Sequence, residues 1–157
     1  MASNKRIDTA SRIIDAPVEV LYAAFTDPIA WEQWLPPADM TGSIQQFDFR
    51  EGGTFRLTLT YADESAVGKT SANEDVSEGT FVKIVPNQRL VQRIVFDSID
   101  PTFAGDMLMT WTLEPINAGT RVTVTAENVP VGISPEDHEV GLNSTLENLK
   151  RFIEKPR

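Results

Sequence analysis

The most regular pattern along the chain is an alternation of apolar and polar residues that follows the glycine pair at positions 52 and 53. Phe55, Leu57, Leu59 and Tyr61 fall on one side of this stretch, and the residues between them are polar. Residues 47–49 alternate in the same way before the glycines. Alternation with a period of two on both sides of a short glycine-containing segment predicts a β-hairpin. A phosphate-binding loop would need a helix after the glycines, so this segment does not indicate a nucleotide site.

Strand-like alternation continues through much of the chain. Residues 5–16 predict a first strand, and four later stretches bounded by turn residues predict further strands. These stretches are 77–85, 89–97, 107–115 and 120–128, with turns at Pro86-Asn87 and 117–119. Because the connections within the sheet are short, we expect about seven antiparallel strands.

Three helices are predicted in addition to the strands. Pro17 suits the first position of a short helix, and Asp27-Pro28 has the N-cap and first-turn proline that begin a second one. Both helices fall between the first and second strands. Towards the end of the chain, Ser134 is the expected N-cap of a helix of about 20 residues, ~30 Å long.

This last helix has one apolar stripe with which it must face the sheet. Leu142, Leu146, Leu149 and Ile153 recur at spacings of three or four residues, which places them on one side. A single helix cannot cover a wide flat sheet, so we expect the sheet to curl and to leave a cavity where the helix does not fill its concave side. The predicted fold class is α+β: a curved antiparallel sheet around a long C-terminal helix, with two short helices between strands 1 and 2.

Composition fits a single domain over residues 1–157 and excludes several classes of function. The formal net charge of -9 and the pI of about 4.6 argue against nucleic acid and anionic membranes as partners. No apolar run approaches the ~18 residues of a membrane span, and the first residues lack the apolar stretch of a signal peptide. We therefore expect a cytoplasmic protein. With no cysteine and one histidine, we expect no disulfide, no metal site and no cofactor.

A second glycine-containing segment also falls short of a nucleotide site. Gly68-Lys69-Thr70 matches the end of a Walker motif, but Asp63 stands where that motif requires its leading glycine. Glu64 and Glu74 lie close by in the sequence, and their negative charges disfavour phosphate.

Five stretches, taken in order, resemble one protein family. They are "IIDAPVEVLYAAFTDPIAWEQWLPP" (13–37), "FDFREGGTFRLTL" (47–59), "EGTFVKIVPNQRLV" (78–91), "MTWTLEPINAGTRVTVTAE" (109–127) and "VGLNSTLENLKRF" (140–152). They are similar to the activator of heat-shock-protein-90 ATPase homologue-like family, a branch of the START-like (SRPBCC) helix-grip superfamily. The resemblance implies the helix-grip fold and a START-like cavity with an apolar lining and a few polar groups.

The chain departs from the family pattern at two positions next to the expected cavity. The family commonly has a tryptophan where this chain has Leu35 and another where it has Leu142. Both changes alter the shape of the pocket, so the ligand preferences of relatives are not transferred. The full-length chaperone activators also have a separate N-terminal domain that this chain lacks, which makes direct stimulation of heat-shock protein 90 doubtful.

We expect the cavity to bind an apolar or amphipathic small molecule. The candidate ligand-binding residues are Trp34, Phe49, Phe55, Leu57, Leu59, Tyr61, Glu78, Arg93, Trp111, His138, Leu142 and Leu146. The alternative for each apolar member is that it only fills the core, since such stripes are usually packing. Trp31 and Trp34 are expected near the mouth, because tryptophan often keeps its N–H at a polar or wet edge.

Two other functions stay open at this point. A cyclase- or hydrolase-type enzyme could use Glu78, Arg93, Asp97 or His138 for acid–base chemistry, by analogy with the polyketide cyclases of the superfamily. For His138 we favour a solvated position in an acidic first turn. Both sides of the strand at 89–97 are apolar, so the sequence does not say whether Arg93 faces inward. A protein-interaction module using the acidic outer surface is the third function, and a homodimer is also left open.

Overall fold

Seven antiparallel strands form one sheet that curls around a long C-terminal helix. The computed structural model describes residues 6–36, 40–61, 74–96, 100–103 and 105–154. The strands are β1 (Ile7–Ile14), β2 (Met40–Phe47), β3 (Thr54–Tyr61), β4 (Glu74–Val85), β5 (Arg89–Phe96), β6 (Met107–Ile116) and β7 (Gly119–Glu127). The helices are α1 (Val18–Thr26), α2 (Pro28–Trp34) and α3 (Pro135–Glu154), with a short 3-10 helix at Pro101–Phe103. Across the sheet the order is β1-β7-β6-β5-β4-β3-β2, so α1 and α2 connect its two edges.

This arrangement confirms the predicted α+β helix-grip architecture. All six strand pairs are antiparallel, and two short helices lie between the first and second strands. Helix α1 begins at Val18, one residue later than predicted, with Pro17 as its N-cap. The predicted caps of the other two helices are present: the Asp27 carboxylate accepts from Ile29 N at 2.9 Å, and Ser134 Oγ accepts from Asp137 N at 3.0 Å.

The glycine pair forms the turn between β2 and β3, which confirms the predicted hairpin. Gly52 has a φ of +84°, and a Cβ on Gly53 would lie 2.0 Å from the carbonyl oxygen of Asp48. The turn also pairs with β4, because Gly52 N donates to Phe81 O and Phe81 N donates to Gly53 O. The segment Gly68-Lys69-Thr70 lies outside the described residues.

The helices cover only part of the concave side of the sheet. Helix α3 packs on β1 at one edge, and α2 packs on β2 at the other edge and against α3. An ion pair between Arg12 and Glu147 joins β1 to α3. Two α3 side chains hold the end of α2: Thr145 Oγ1 donates to Leu35 O at 2.9 Å, and Asn148 Nδ2 donates to Pro36 O at 2.7 Å. Helix α1 contacts β6 and β7, and part of the concave face between the two edges is left uncovered by helices.

Aromatic side chains form the packed part of the core. Phe25, Trp31, Trp34 and Phe81 are at most 2% exposed, and their rings are arranged mostly edge to face.

Within the described ranges, none of the helices has both the length and the apolar character that a membrane span requires.

Candidate functional site

A cavity of about 580 Å³ lies between strands β3 to β6 and the first half of α3. Its exposed lining residues, Gly132, Asp137 and Val140, mark a mouth beside the beginning of α3. A shallower depression between residues 15–19 and 115–119 lies at the other end of β1. The larger space lies on the concave side of the sheet, beside the part of it that α3 covers.

Eight of the candidate ligand-binding residues are brought together around this cavity. They are Trp34, Phe55, Leu57, Leu59, Tyr61, Trp111, His138 and Leu142. The strand residues in this set point to the concave side because alternate positions of β3 and β6 share one face. The lining as a whole is mainly apolar.

The tryptophans of α2 occupy a different part of the cavity from the one expected. Trp31 and Trp34 are 2% and 0% exposed, and their indole N–H groups donate to the carbonyl oxygens of Phe25 and Ala24 at 2.9 and 3.0 Å. Both side chains line the cavity from the core side. Their expected position at a wet mouth is wrong, since the backbone of α1 supplies the polar partners that water would have provided.

Four candidate residues do not line the cavity. Phe49 packs beside Phe47 and Phe81, and Leu146 is fully buried in the core. The side chains of Glu78 and Arg93 lie on the outer face, 61% and 47% exposed, where they pair with Arg56 and Asp106. Asp97 lies outside the described residues.

The pairing of β4 with β5 settles which face of β5 is concave. Gly79 lies opposite Ile94, and Phe81 lies opposite Gln92, so the even-numbered residues of β5 face inward. Gln92 and Ile94 accordingly line the cavity, and Arg93 faces outward. The sequence could not decide this because both faces of β5 are apolar.

Three buried polar residues that sequence reasoning missed also line the cavity. Asp75, Ser77 and Gln92 are 3%, 7% and 3% exposed. The strand pairing explains the inward position of the first two: Asp75 lies opposite Leu59, and Ser77 lies opposite Leu57. Directly opposed residues of an antiparallel pair share a face, so inward leucines on β3 imply inward partners on β4.

Asp75 and Tyr61 form a polar contact at the outer part of the cavity. The phenol Oη of Tyr61 donates to Asp75 Oδ2 at 3.1 Å. Burial, the Asp75 carboxylate and the nearby Asp137 together raise the pKa of Tyr61 to about 12. Tyr61 is therefore a hydrogen-bond donor throughout the neutral range.

Gln92, which lines the cavity, accepts a hydrogen bond through its amide oxygen. Trp111 Nε1 lies 3.0 Å from Gln92 Oε1, and because an indole only donates, this contact identifies the amide oxygen. Within the described residues, the Gln92 side chain makes no other hydrogen bond, and Ser77 Oγ makes none. The side chains of Gln92 on β5 and Ser77 on β4 thus add polar groups to the cavity wall.

His138 is held by a carboxylate rather than solvated. Its Nδ1 lies 2.7 Å from Asp8 Oδ2, and the Arg6 guanidinium lies 3.1 Å from the same oxygen. The side chains of His138 and Asp8 are only 13% and 12% exposed. The expected solvated position is wrong, because β1 brings Asp8 against the first turns of α3.

The charges around the cavity are unbalanced. Asp75 and Asp137 line it, and no lysine or arginine does among the residues that the structure describes. No group of three or more histidine, cysteine or carboxylate side chains placed to hold a metal occurs in that part of the chain.

Comparison with solved structures shows the same fold in proteins from three bacteria. A crystal structure of a protein from Chromobacterium violaceum is 29% identical, with a TM-score of 0.85, and the match covers 96% of this chain and 98% of that one. A solution structure from Arthrobacter aurescens is 20% identical, with a TM-score of 0.75 over 96% and 87% of the two chains. A crystal structure from Nitrosomonas europaea is 21% identical, with a TM-score of 0.73 over 95% and 94%.

Sequence comparison identifies the family. No curated protein sequence matches the chain. The family profile described as "Activator of Hsp90 ATPase homolog 1-like protein" matches residues 15–154. This range includes every residue that lines the cavity. On this match, with the helix-grip fold already established, the chain belongs to the Activator of Hsp90 ATPase homolog 1-like family.

Proposed function

We propose that the protein binds a small, largely apolar molecule in the cavity between the sheet and α3. The observation that carries this proposal is an unfilled space of about 580 Å³ with a mainly apolar lining and a few buried polar side chains. Small-molecule sites typically have volumes of roughly 300–1,000 Å³ and this combination of surfaces.

Gly141 favours a binding role, rather than incomplete packing, as the explanation of the unfilled space. It lies inside α3 and lines the cavity, and a Cβ at this position would meet no atom within 4 Å. Glycine inside a helix is destabilising by about 0.5–1 kcal/mol relative to alanine. A side chain here would stabilise the helix and fill empty space, so the glycine is better explained by a guest that needs the room.

The test fills the cavity from this position. In a Gly141→Leu variant the new side chain occupies the space beside Asp137 and Thr145, one turn to either side, which also line the cavity. We expect uptake of an apolar fluorescent dye to fall at least tenfold while the melting temperature stays the same or rises. Glu139→Leu is the matched control, since Glu139 is exposed on the same helix and does not line the cavity.

The two variants together distinguish the outcomes. Loss of dye uptake in Gly141→Leu alone supports the cavity as the binding site. Equal uptake in both variants, with both folded, would show that the dye binds elsewhere and would overturn the proposal. Native mass spectrometry of protein purified from cells then identifies the retained molecule by its mass.

A second candidate function is proton-transfer catalysis on a molecule held in the cavity. It is favoured by the buried Asp75 carboxylate, which is hydrogen-bonded to Tyr61 inside the cavity. If the protein is an enzyme, Asp75→Asn and wild-type protein from the same cells should retain molecules of different mass, one substrate and one product. Retention of the same molecule by both proteins argues for binding alone.

A further inference from the structure

Strand β2 forms one of the two edges of the sheet and lacks the usual means of keeping an edge from pairing. An edge strand presents unpaired N–H and C=O groups to other chains, and proteins commonly block it with charged residues or proline. Residues Met40–Phe47 include neither. The other edge strand, β1, carries Asp8 and Arg12 and is packed against α3. Any protection of β2 must therefore come from another part of the chain.

Glu32 of α2 provides that protection at one position of the strand. Ile44 N donates to Glu32 Oε2 at 2.8 Å, so this N–H is already bonded. Backbone groups of an antiparallel strand point alternately to its two sides, so those of Met40 and Gly42 face the same way as those of Ile44. This is the side away from β3, because Ile44 N bonds to a helix rather than to that strand. The carboxylate thus occupies the edge that a further strand would use.

We propose that Glu32 keeps β2 from pairing with β2 of a second copy of this chain. A pair of identical strands meets across a two-fold axis, where each copy presents the same residues, and an uncharged strand does not repel its own copy. Centred on Gly42, an antiparallel pair would set Ile44 opposite Met40 and would need the N–H that Glu32 holds. It would also bring two Glu32 carboxylates to one interface, where like charges repel.

The packing of α2 holds Glu32 in place. Immediately before it in the sequence, Trp31 is 2% exposed and its indole N–H donates to Phe25 O. After it, Leu35 O accepts a hydrogen bond from Thr145 of α3. A side chain carried by a fixed helix loses little further freedom when it bonds, so it competes well with a strand that arrives from solution.

A β-bulge beside Ile44 restricts pairing to the first part of β2. The register with β3 shifts between Ile44 and Gln46, which makes Gln45 an extra residue. Because a bulge bends and twists the strand, regular pairing on the outer side is confined to residues 40–44. Glu32 occupies the last of these positions, so one carboxylate shortens an edge that is already short.

The test measures self-association of the wild-type protein and of Glu32→Ala by sedimentation velocity over a series of protein concentrations. In the wild type, each copy must give up the bond between Ile44 N and the carboxylate in order to pair. The variant has no such bond to lose, so we expect it to dimerise at least about tenfold more tightly. Equal association of the two proteins would overturn the proposal.

Two further variants locate the contact. Glu19→Ala removes one negative charge at an exposed position of α1 and should associate as the wild type does. Tighter association in this control would show that a lower net charge alone is responsible, and the proposal would be wrong. Adding Ser43→Lys, at an exposed position of β2, to Glu32→Ala should restore wild-type behaviour, since a lysine disfavours edge pairing. A double variant that still dimerises would place the contact elsewhere and would contradict the proposal.

Amide hydrogen exchange checks the bond itself in the wild-type protein and needs no variant. The Ile44 amide should exchange at least about tenfold more slowly than an unbonded amide, although it lies at a sheet edge. Exchange at the rate of an unbonded amide would overturn the proposal even if Glu32→Ala fails to fold. Because Glu32 does not line the cavity, none of these results bears on the proposed ligand binding.

Discussion

Two halves of one concave face have opposite character. Near α1 and α2 the face is filled with aromatic rings: Phe81 is fully buried, and its ring centroid lies 5.0 Å from Phe49 and 5.1 Å from Phe55. Near the first turns of α3 the face is open, and its inward positions include Asp75 and Ser77. Both halves lie on the same strands, so the strands themselves do not decide which half is filled.

The difference between the halves comes from what covers them. The packed half lies under α2, whose Trp31 packs against Phe55 of β3 and Phe81 of β4. The open half lies beside the part of α3 that contains Gly141, where an added Cβ would meet no atom within 4 Å. Rings of one helix fill the packed half, and the other helix has no side chain at Gly141 to fill the open half.

The largest expected effect contrasts one residue from each half. Phe81→Ala removes a fully buried ring and should lower the free energy of unfolding by about 3–5 kcal/mol. Leu59→Ala, at a half-buried position on the cavity wall, should lower it by about 1 kcal/mol. Urea denaturation measures both values. Similar losses in the two variants would mean that the halves are equally well packed.

Gly79→Ala should displace the Phe55 ring and so reduce the open space beside it. The Phe55 ring lies over Gly79, and a Cβ there would be 2.1 Å from Phe55 Cζ, so the ring must move towards the cavity. We expect a loss of about 1–3 kcal/mol in unfolding free energy, together with weaker dye uptake. Thr80→Ala, at the next and outward-facing position of β4, is the control and should leave dye uptake intact.

Gly141→Ala should have a smaller effect of opposite sign. The added methyl meets open space and removes a helix-interior glycine, so the unfolding free energy should rise by about 0.5–1 kcal/mol. Chemical denaturation with dye titration on the same sample checks both quantities. A decrease in stability would mean that the position is already filled.

The last effect appears only at high pH. Folding raises the pKa of Tyr61 from 10.0 to about 12, mainly because burial disfavours the phenolate, so the stability it contributes is complete below pH 10 and is lost as the pH rises through about 12. In Tyr61→Phe this loss should be absent, and spectroscopic titration should show only the remaining tyrosine, Tyr22. Identical pH dependence in both proteins would contradict the assigned environment.

Local patterns were sufficient to predict the fold. The hairpin at the glycine pair and the caps at Asp27 and Ser134 follow from chemistry within a few residues, and the structure confirms each of them. The curl of the sheet followed from one amphipathic helix facing about seven strands. These features depend on residues that are close in sequence or on simple counting.

The polar residues of the candidate site could not be predicted, because their inward position depends on strand pairing that local sequence patterns do not determine. The register that puts Ser77 beside Leu57 depends on where β4 begins, and twelve residues separate it from the end of β3. Glu78, one position along, was predicted in place of its inward neighbours. His138 was misjudged for a similar reason, because its partner Asp8 is 130 residues away in the chain.

The position of the tryptophans makes intrinsic fluorescence a probe of the cavity. The chain has three tryptophans, and Trp31, Trp34 and Trp111 all border the same hollow. Intrinsic indole emission therefore arises only from around the cavity, with no background from a distant fluorophore. Binding of a compound to the cavity can therefore be tested in unlabelled, unmodified protein, as a saturable shift of this emission.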